Sequence, residues 1–398
     1  MSDPYGSDPF RRSHRDRSEI GRDALDELAP LRPLGIWDVV GRTRAALGLR
    51  PLTAPALVFV PLGALAGPYG AGIVSHDALG SLYPVMSVAL AALGIFVGAA
   101  LRLGTADDRR LLAVGSLEAL ITIGVVAGVC LWLFRAWGLQ LEGPWSIALV
   151  LGLCASATSA GVARPEDPLH HQTAMRIADL DDVLPIALGG IVLAMVTADT
   201  TPMVATLAAL NVGVALLIAA AGWLLFGWTH DPDQRTVFVV GIVALLGGSA
   251  AYLGVSPLLA GMVAGIVWRH APGGVDAIIG LDLRRLQHPL VVLLLIFAGA
   301  SAQPNLLAVW IGSAYVLARL SGKMLGGWVI SRATPTISPA DLGSYLLPPG
   351  VIGLGFALSF HLVAFSPGSA SVLTAVAVGT LVSEVLAALA LLGPREES

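Results

Sequence analysis

The sequence predicts an all-α polytopic membrane protein of about twelve transmembrane helices, or thirteen with an N-terminal helix, built as inverted repeats. Three observations carry this. The 398-residue chain is 56% hydrophobic and 13% charged, with 46 glycines, whereas soluble domains carry about 25% charged residues. Its apolar residues gather into twelve runs. Its arginines fall almost entirely between alternate pairs of those runs.

Residues 1–50 differ from the rest. "MSDPYGSDPFRRSHRDRSE" is polar and lacks the apolar stretch of a signal peptide. "IWDVVGRTRAALGL", 36–49, is weakly amphipathic. It reads either as an interfacial helix or as a loosely ordered tail. The expected organisation is a tail at 1–50, a membrane domain at 51–393 and a short cytoplasmic end at 394–398. The formal net charge of -4 and a pI near 6.0 are uninformative about partners. No basic patch is interleaved with aromatics, so nucleic acid is excluded as a partner. Cys130 and Cys154 sit in apolar runs and read as packing residues.

The runs lie near 53–66, 81–101, 110–134, 145–163, 172–197, 203–228, 236–252, 254–269, 288–302, 305–331, 341–363 and 369–392. Nine arginines lie in the tail. Counting loops alternately, the same side holds Arg102, Arg109, Arg110, Arg164, Arg176, Arg235, Arg269, Arg284, Arg285, Arg332 and Arg395, and the other only Arg135. This predicts that both termini are cytoplasmic and that the number of spans is even. "HAPGGVDAIIGLDLRRLQ", 270–287, is too polar to span and is expected along the cytoplasmic face.

"SLEALITIGVV" (116–126) and "SGKMLGGWVIS" (321–331) align Glu118 with Lys323, and "DDVLPIALG" (181–189) and "SEVLAALAL" (383–391) align Asp182 with Glu384. The offsets, 205 and 202, nearly agree. Runs three to five thus repeat as runs ten to twelve with opposite orientation, the arrangement of secondary transporters. "SATSAG", 156–161, interrupts the fourth run, and "LPPGVIGLG", 347–355, interrupts the eleventh. Pro348, Pro349 and Gly350 would free backbone groups that only a protein-lined or wet site tolerates. Unwound carbonyls with the hydroxyls of Ser156, Thr158 and Ser159 offer hard oxygen ligands for a small cation. Small residues there would equally serve helix packing.

Lys323 is the only lysine of the chain, and it lies in an apolar run. At about 1.5 Å per residue, Asp181 and Asp182 lie about 14–15 Å from the cytoplasmic end of run five and Lys323 about 12 Å from that of run ten. The three share a depth, with Arg319 one turn further out. Each such charge costs about 2.5–3.5 kcal/mol at the centre of a membrane helix. An ion pair that fixes packing needs one carboxylate, and here there are two. Adjacent helical residues point about 100° apart. One aspartate can therefore face Lys323 while the other faces a cavity and binds a cation or carries a proton. Unlike arginine, lysine can release a proton when buried. Glu118 and Glu384, also near mid-depth, read either as partners within the bundle or as part of the ion path. Asp179 lies toward the cytoplasmic mouth, His170 and His171 sit in a loop, and His361 stands alone near a helix end. No phosphate-binding loop, nucleophile triad or His/Cys metal spacing is present, so no enzyme activity and no cofactor are expected.

Taken together, these residues resemble the monovalent cation/proton antiporter superfamily, in its bacterial sodium/proton and Kef-like branch, over most of 53–393. "GALAGPYGAGIV" (63–74) is similar to the family's glycine-rich first helix and loop, and "SATSAGV" to its broken fourth helix. "DLDDVL" resembles the paired-aspartate motif, "FAGASAQPNLL" (297–307) and "RLSGKMLGGWVISR" the lysine helix and its approach, and "LPPGVIGLGFAL" the second broken helix. Pro185 stands where the family usually has glycine. "LPPGVIG" lacks the charged or amide residues often found there. No nucleotide-binding domain follows residue 393, which argues against ligand gating of the Kef type.

The resemblance implies broken helices that cross in a core of about 110–197 and 305–392. The remaining helices would form a dimerisation scaffold, and homodimers would move the core like an elevator. By the same match Asp182 would bind the cation and the proton in turn, with sodium as its metal. Asp181 would pair with Lys323 when no cation is present, and Thr158 and its neighbours would line the site. The expected function is electrogenic exchange of a monovalent cation, sodium first, for protons across the cell membrane, serving pH homeostasis. Potassium/proton exchange and a sodium-coupled organic-anion carrier of related fold are the alternatives, though paired aspartates would repel an anion.

Overall fold

The computed structural model describes residues 55–101, 106–139, 141, 143–158, 173, 176–178, 180–198, 200–228, 232–272, 275–334, 342–364 and 366–392. The N-terminal tail with its segment 36–49, Ser159, His170, His171, Asp179 and the last residues lie outside these. Described residues form thirteen helices: α1 (Ala56–Ala66), α2 (His76–Ala100), α3 (Ala106–Ala136), α4 (Pro144–Ser156), α5 (Val183–Thr197), α6 (Thr201–Trp228), α7 (Pro232–Leu253), α8 (Pro257–His270), α9 (Val275–Ser301), α10 (Leu306–Ala333), α11 (Leu342–Tyr345), α12 (Val351–Ala364) and α13 (Pro367–Leu392). Each of the twelve apolar runs yields a helix, and the eleventh yields two, α11 and α12, separated at the predicted "LPPG" interruption. The chain is an all-helical polytopic membrane protein. Among the described residues, helices long and apolar enough to cross a bilayer by themselves include α2 and α6.

Local chemistry sets several helix starts. Ser75 accepts a hydrogen bond from Ala78 N at the start of α2, and Ser256 one from Leu259 N at the start of α8, where Pro257 follows as the first helical residue. Asn305 does the same for α10 through Ala308 N at 2.6 Å. Gly143 precedes α4 at φ 64°, a left-handed conformation that favours glycine.

Glycines set the closest helix contacts. Gly94 and Gly98 of α2 meet the backbone of Leu258 and Met262, and Gly261 and Gly265 of α8 meet the backbone of Ala91 and Ile95. Both helices thus carry a G-x-x-x-G face, "GIFVG" and "GMVAG". In lipid the apolar effect between helices is absent, so this close backbone approach holds the pair by van der Waals contact. Gly63 of α1 and Gly299 of α9 do the same against Ile296 and Val60.

α3 and α10 pack antiparallel. Gly322 faces Thr122, and Gly326 faces Glu118. This is the packing that an inverted repeat requires of its two equivalent helices.

From Val275 onward the polar segment 270–287 is helical and runs into the ninth span through Pro289, so its charged residues do not interrupt the helix. The fifth run is not one continuous helix. Asp181 and Asp182 form a turn between helical Leu180 and Val183. Pro185 has no N–H to donate to the carbonyl of Asp181, which removes one rung of the helical ladder at this point.

Because a Cβ on Gly94 or Gly261 would fall on backbone atoms of the facing helix, Gly94→Val and Gly261→Val should each destabilise the fold by about 1–3 kcal/mol. Melting in detergent is the measurement. Gly248→Ala, where a Cβ meets nothing within 4 Å, should leave the melting temperature unchanged or slightly raised.

Candidate functional site

The fourth helix stops at Ser156. Ala157 is extended at φ -63°, ψ 132°. The eleventh run opens between Leu346 and Gly350. The two openings meet: Thr158 and Pro349 form an antiparallel bridge, and Gly350 N donates to Ala157 O at 3.3 Å. Gly350 is closely covered by the Thr158 backbone, so a side chain here would push the two segments apart. The breaks of the two runs thus lie against each other, as the family resemblance implies.

A helix end exposes carbonyls that carry partial negative charge. Two buried cations on α10 meet those exposed here. Arg319 donates from Nη2 to Ala157 O at 3.0 Å and from Nη1 to Leu347 O at 3.2 Å, tying one break to the other. Lys323, one turn further along α10, donates to Ser156 O at 2.5 Å. Both side chains are fully buried, at 0% exposure. The cations that would be costly in lipid are therefore capping helix termini inside the protein.

Lys323 Nζ has three further acceptors: Thr158 Oγ1 at 2.7 Å, Glu118 Oε2 at 3.0 Å and Asp181 Oδ2 at 3.4 Å. Thr158 in turn donates to Asp181 Oδ2 at 2.6 Å. Thr122, one turn from Glu118 on α3, donates to its Oε1 at 2.8 Å. Glu118 and Asp181 are fully buried like the lysine, and Asp182 is 5% exposed. Asp181 Oδ1 accepts no hydrogen bond from the described residues. Asp182 immediately precedes α5.

The sequence-derived residues therefore converge in large part. Asp181, Lys323, Thr158, Ser156, Glu118, Arg319, Pro349 and Gly350 belong to one contiguous network. Glu384 stands aside on α13, half-buried and within the electrostatic reach of Arg319. Ser159 lies outside the described residues. One expectation changes in detail. The Ser156 hydroxyl bonds back to Leu153 O at 2.8 Å, so the residue offers its carbonyl to the site. A serine at a helix end has its own backbone within easiest reach.

Thr122 was not anticipated, though it has a signal, its i+4 spacing from Glu118 on one helix face. Carbonyls freed at the breaks were expected at the site, and those of Ala157 and Leu347 accept from Arg319. His361, near the end of α12, meets Ser369 Oγ through Nδ1 at 3.2 Å, away from this network. Cys130 and Cys154 are free, buried thiols.

Thr158 joins an ammonium to a carboxylate through one hydroxyl. Thr158→Val removes that link and should destabilise the protein by about 1–3 kcal/mol, the cost of stranding a buried polar group. Thr158→Ser should recover most of the loss. Thermal unfolding of the two variants in the same detergent gives the comparison.

No family model and no curated relative matches the sequence. Among solved structures, that of the sodium proton antiporter MjNhaP1 from Methanocaldococcus jannaschii at pH 8 aligns over 88% of this chain and 99% of its own, with a TM-score of 0.62 and 17% sequence identity. Such low identity speaks to architecture alone: this polytopic chain has the fold of that antiporter.

Proposed function

We propose that this protein is a secondary active transporter, not an enzyme, that exchanges a monovalent cation for protons by alternating access. Sodium is the first candidate cation. The observation that carries the proposal is a pair of adjacent buried aspartates, Asp181 and Asp182, beside the meeting point of two helix breaks and the only lysine of the chain. The likeness in fold to a sodium proton antiporter supports it.

In this reading cation and protons compete for one carboxylate site. Asp182 takes the cation and the proton in turn. Thr158, which donates to the neighbouring Asp181, would add a hydroxyl oxygen to the shell of a hard monovalent ion. Loading with either ion biases the inward- and outward-facing forms, because each form binds the two loads unequally. Two carboxylates allow two protons to leave for one cation, which makes the exchange electrogenic. The protein works as a homodimer in the cell membrane with both termini cytoplasmic.

The test is cation-dependent proton flux in proteoliposomes. Wild type should dissipate an imposed pH gradient on addition of sodium, and a series with lithium and potassium ranks the cations. Asp182→Ala should abolish the flux while the protein remains folded. Undiminished flux in that variant would overturn the assignment.

A further inference from the structure

We infer that Glu118 is the standing counter-ion of Lys323: it holds the amine as an ammonium throughout the cycle, and Asp181 alone parts from the lysine when the cation binds. The second half of this inference rests on the antiporter reading above; the first half does not.

The geometry carries it in four steps. An ammonium has three protons to donate. Lys323 faces four acceptors, and Asp181 Oδ2 at 3.4 Å is the most distant of them, behind Ser156 O at 2.5 Å, Thr158 Oγ1 at 2.7 Å and Glu118 Oε2 at 3.0 Å. The three nearer groups use up the three protons.

Asp181 also has a donor of its own. The Thr158 hydroxyl reaches Oδ2 at 2.6 Å. Its contact with Lys323 can therefore open without leaving that oxygen bare.

Glu118 has no such freedom. One oxygen is held by Thr122 on its own helix, the other by Lys323, and the side chain is fully enclosed. Were Lys323 to lose its proton, Glu118 would stay behind as an uncompensated buried charge. The remaining charged groups nearby do not substitute for the lysine: Arg319, one turn along α10, is turned to Ala157 O and Leu347 O, and Asp182 is itself an acid.

The site is also shaped for this pair. Gly326 lies directly against the Glu118 carboxylate, where a Cβ would come within 3.0 Å of Oε1. The absence of a side chain at that position on α10 gives the carboxylate room beside the helix that carries its partner.

With the Glu118–Lys323 pair permanent, the lysine does not act as a proton carrier.

Because Lys323 is the only lysine, protein grown with 15Nζ-lysine gives a single side-chain resonance. It should remain that of an ammonium on adding sodium. Conversion to a neutral amine on adding sodium would overturn the inference.

Glu118→Gln should shift this resonance and make it respond to sodium, since the lysine must then lean on Asp181. It should also raise the KM for sodium tenfold or more with a smaller change in kcat, and Glu118→Asp should restore part of both. An unmoved resonance with an unchanged KM would overturn the inference.

If Glu118→Gln does not fold, Glu118→Gln combined with Lys323→Gln removes both charges together. That variant should still exchange electrogenically, at a reduced rate; electroneutral exchange would show that the lysine had carried a proton. If wild type moves no protons with any cation, the antiporter reading fails. The resonance still tests the Glu118 pairing.

Discussion

Backbone polar groups freed in the middle of a membrane must find partners inside the protein, and here they find them in one place. The carbonyls of Ser156, Ala157 and Leu347 are exposed because two helices stop short. Lys323 and Arg319 accept the task of capping them, and the two breaks bond to each other through Thr158, Pro349 and Gly350. Neither half of this arrangement is tolerable alone. Open helix ends without donors would be stranded in hydrocarbon, and buried cations without acceptors would be expelled from it. Their union brings the acids along: with two cations fixed at this depth, Glu118, Asp181 and Asp182 can sit there as well.

Much of this could be read in the residues because the relevant signals are rare ones. A single lysine in an arginine-using chain, two adjacent aspartates at matching depth and a Pro–Pro–Gly inside an apolar run are each unusual in a membrane segment. Depth follows from simple helical rise, so residues on different spans could be placed level with one another. The internal alignment of Glu118 with Lys323 proved more informative than its length suggested, since those two side chains are in direct contact at 3.0 Å.

What escaped the sequence was governed by backbone and by local competition. The turn at Asp181 and Asp182 depends on a missing N–H four residues later. Proline was visible there, but it was read for its departure from a family pattern and not for the rung it removes. The hydroxyl of Ser156 is drawn to Leu153 O by proximity, which no residue type announces. The polar residues after Val275 read as surface from their composition, and composition alone did not show that a helix continues through them. Composition reports where a segment is comfortable, while hydrogen-bond continuity decides what shape it keeps. The scaffold side shows the complementary case. Its Gly-x-x-x-Gly faces are ordinary in a glycine-rich chain, and only the facing backbone gives them meaning.

The contact between Glu118 and Lys323 carries an implication about origins. A position on the axis of an inverted repeat meets its own counterpart from the other half. While the halves were still identical, acid would have met acid there, or amine met amine, and the pairing now seen was impossible. Opposite charges at that spot require the two halves to have diverged in sequence. The ion pair is thus a record of broken symmetry, younger than the duplication that set the two helices side by side.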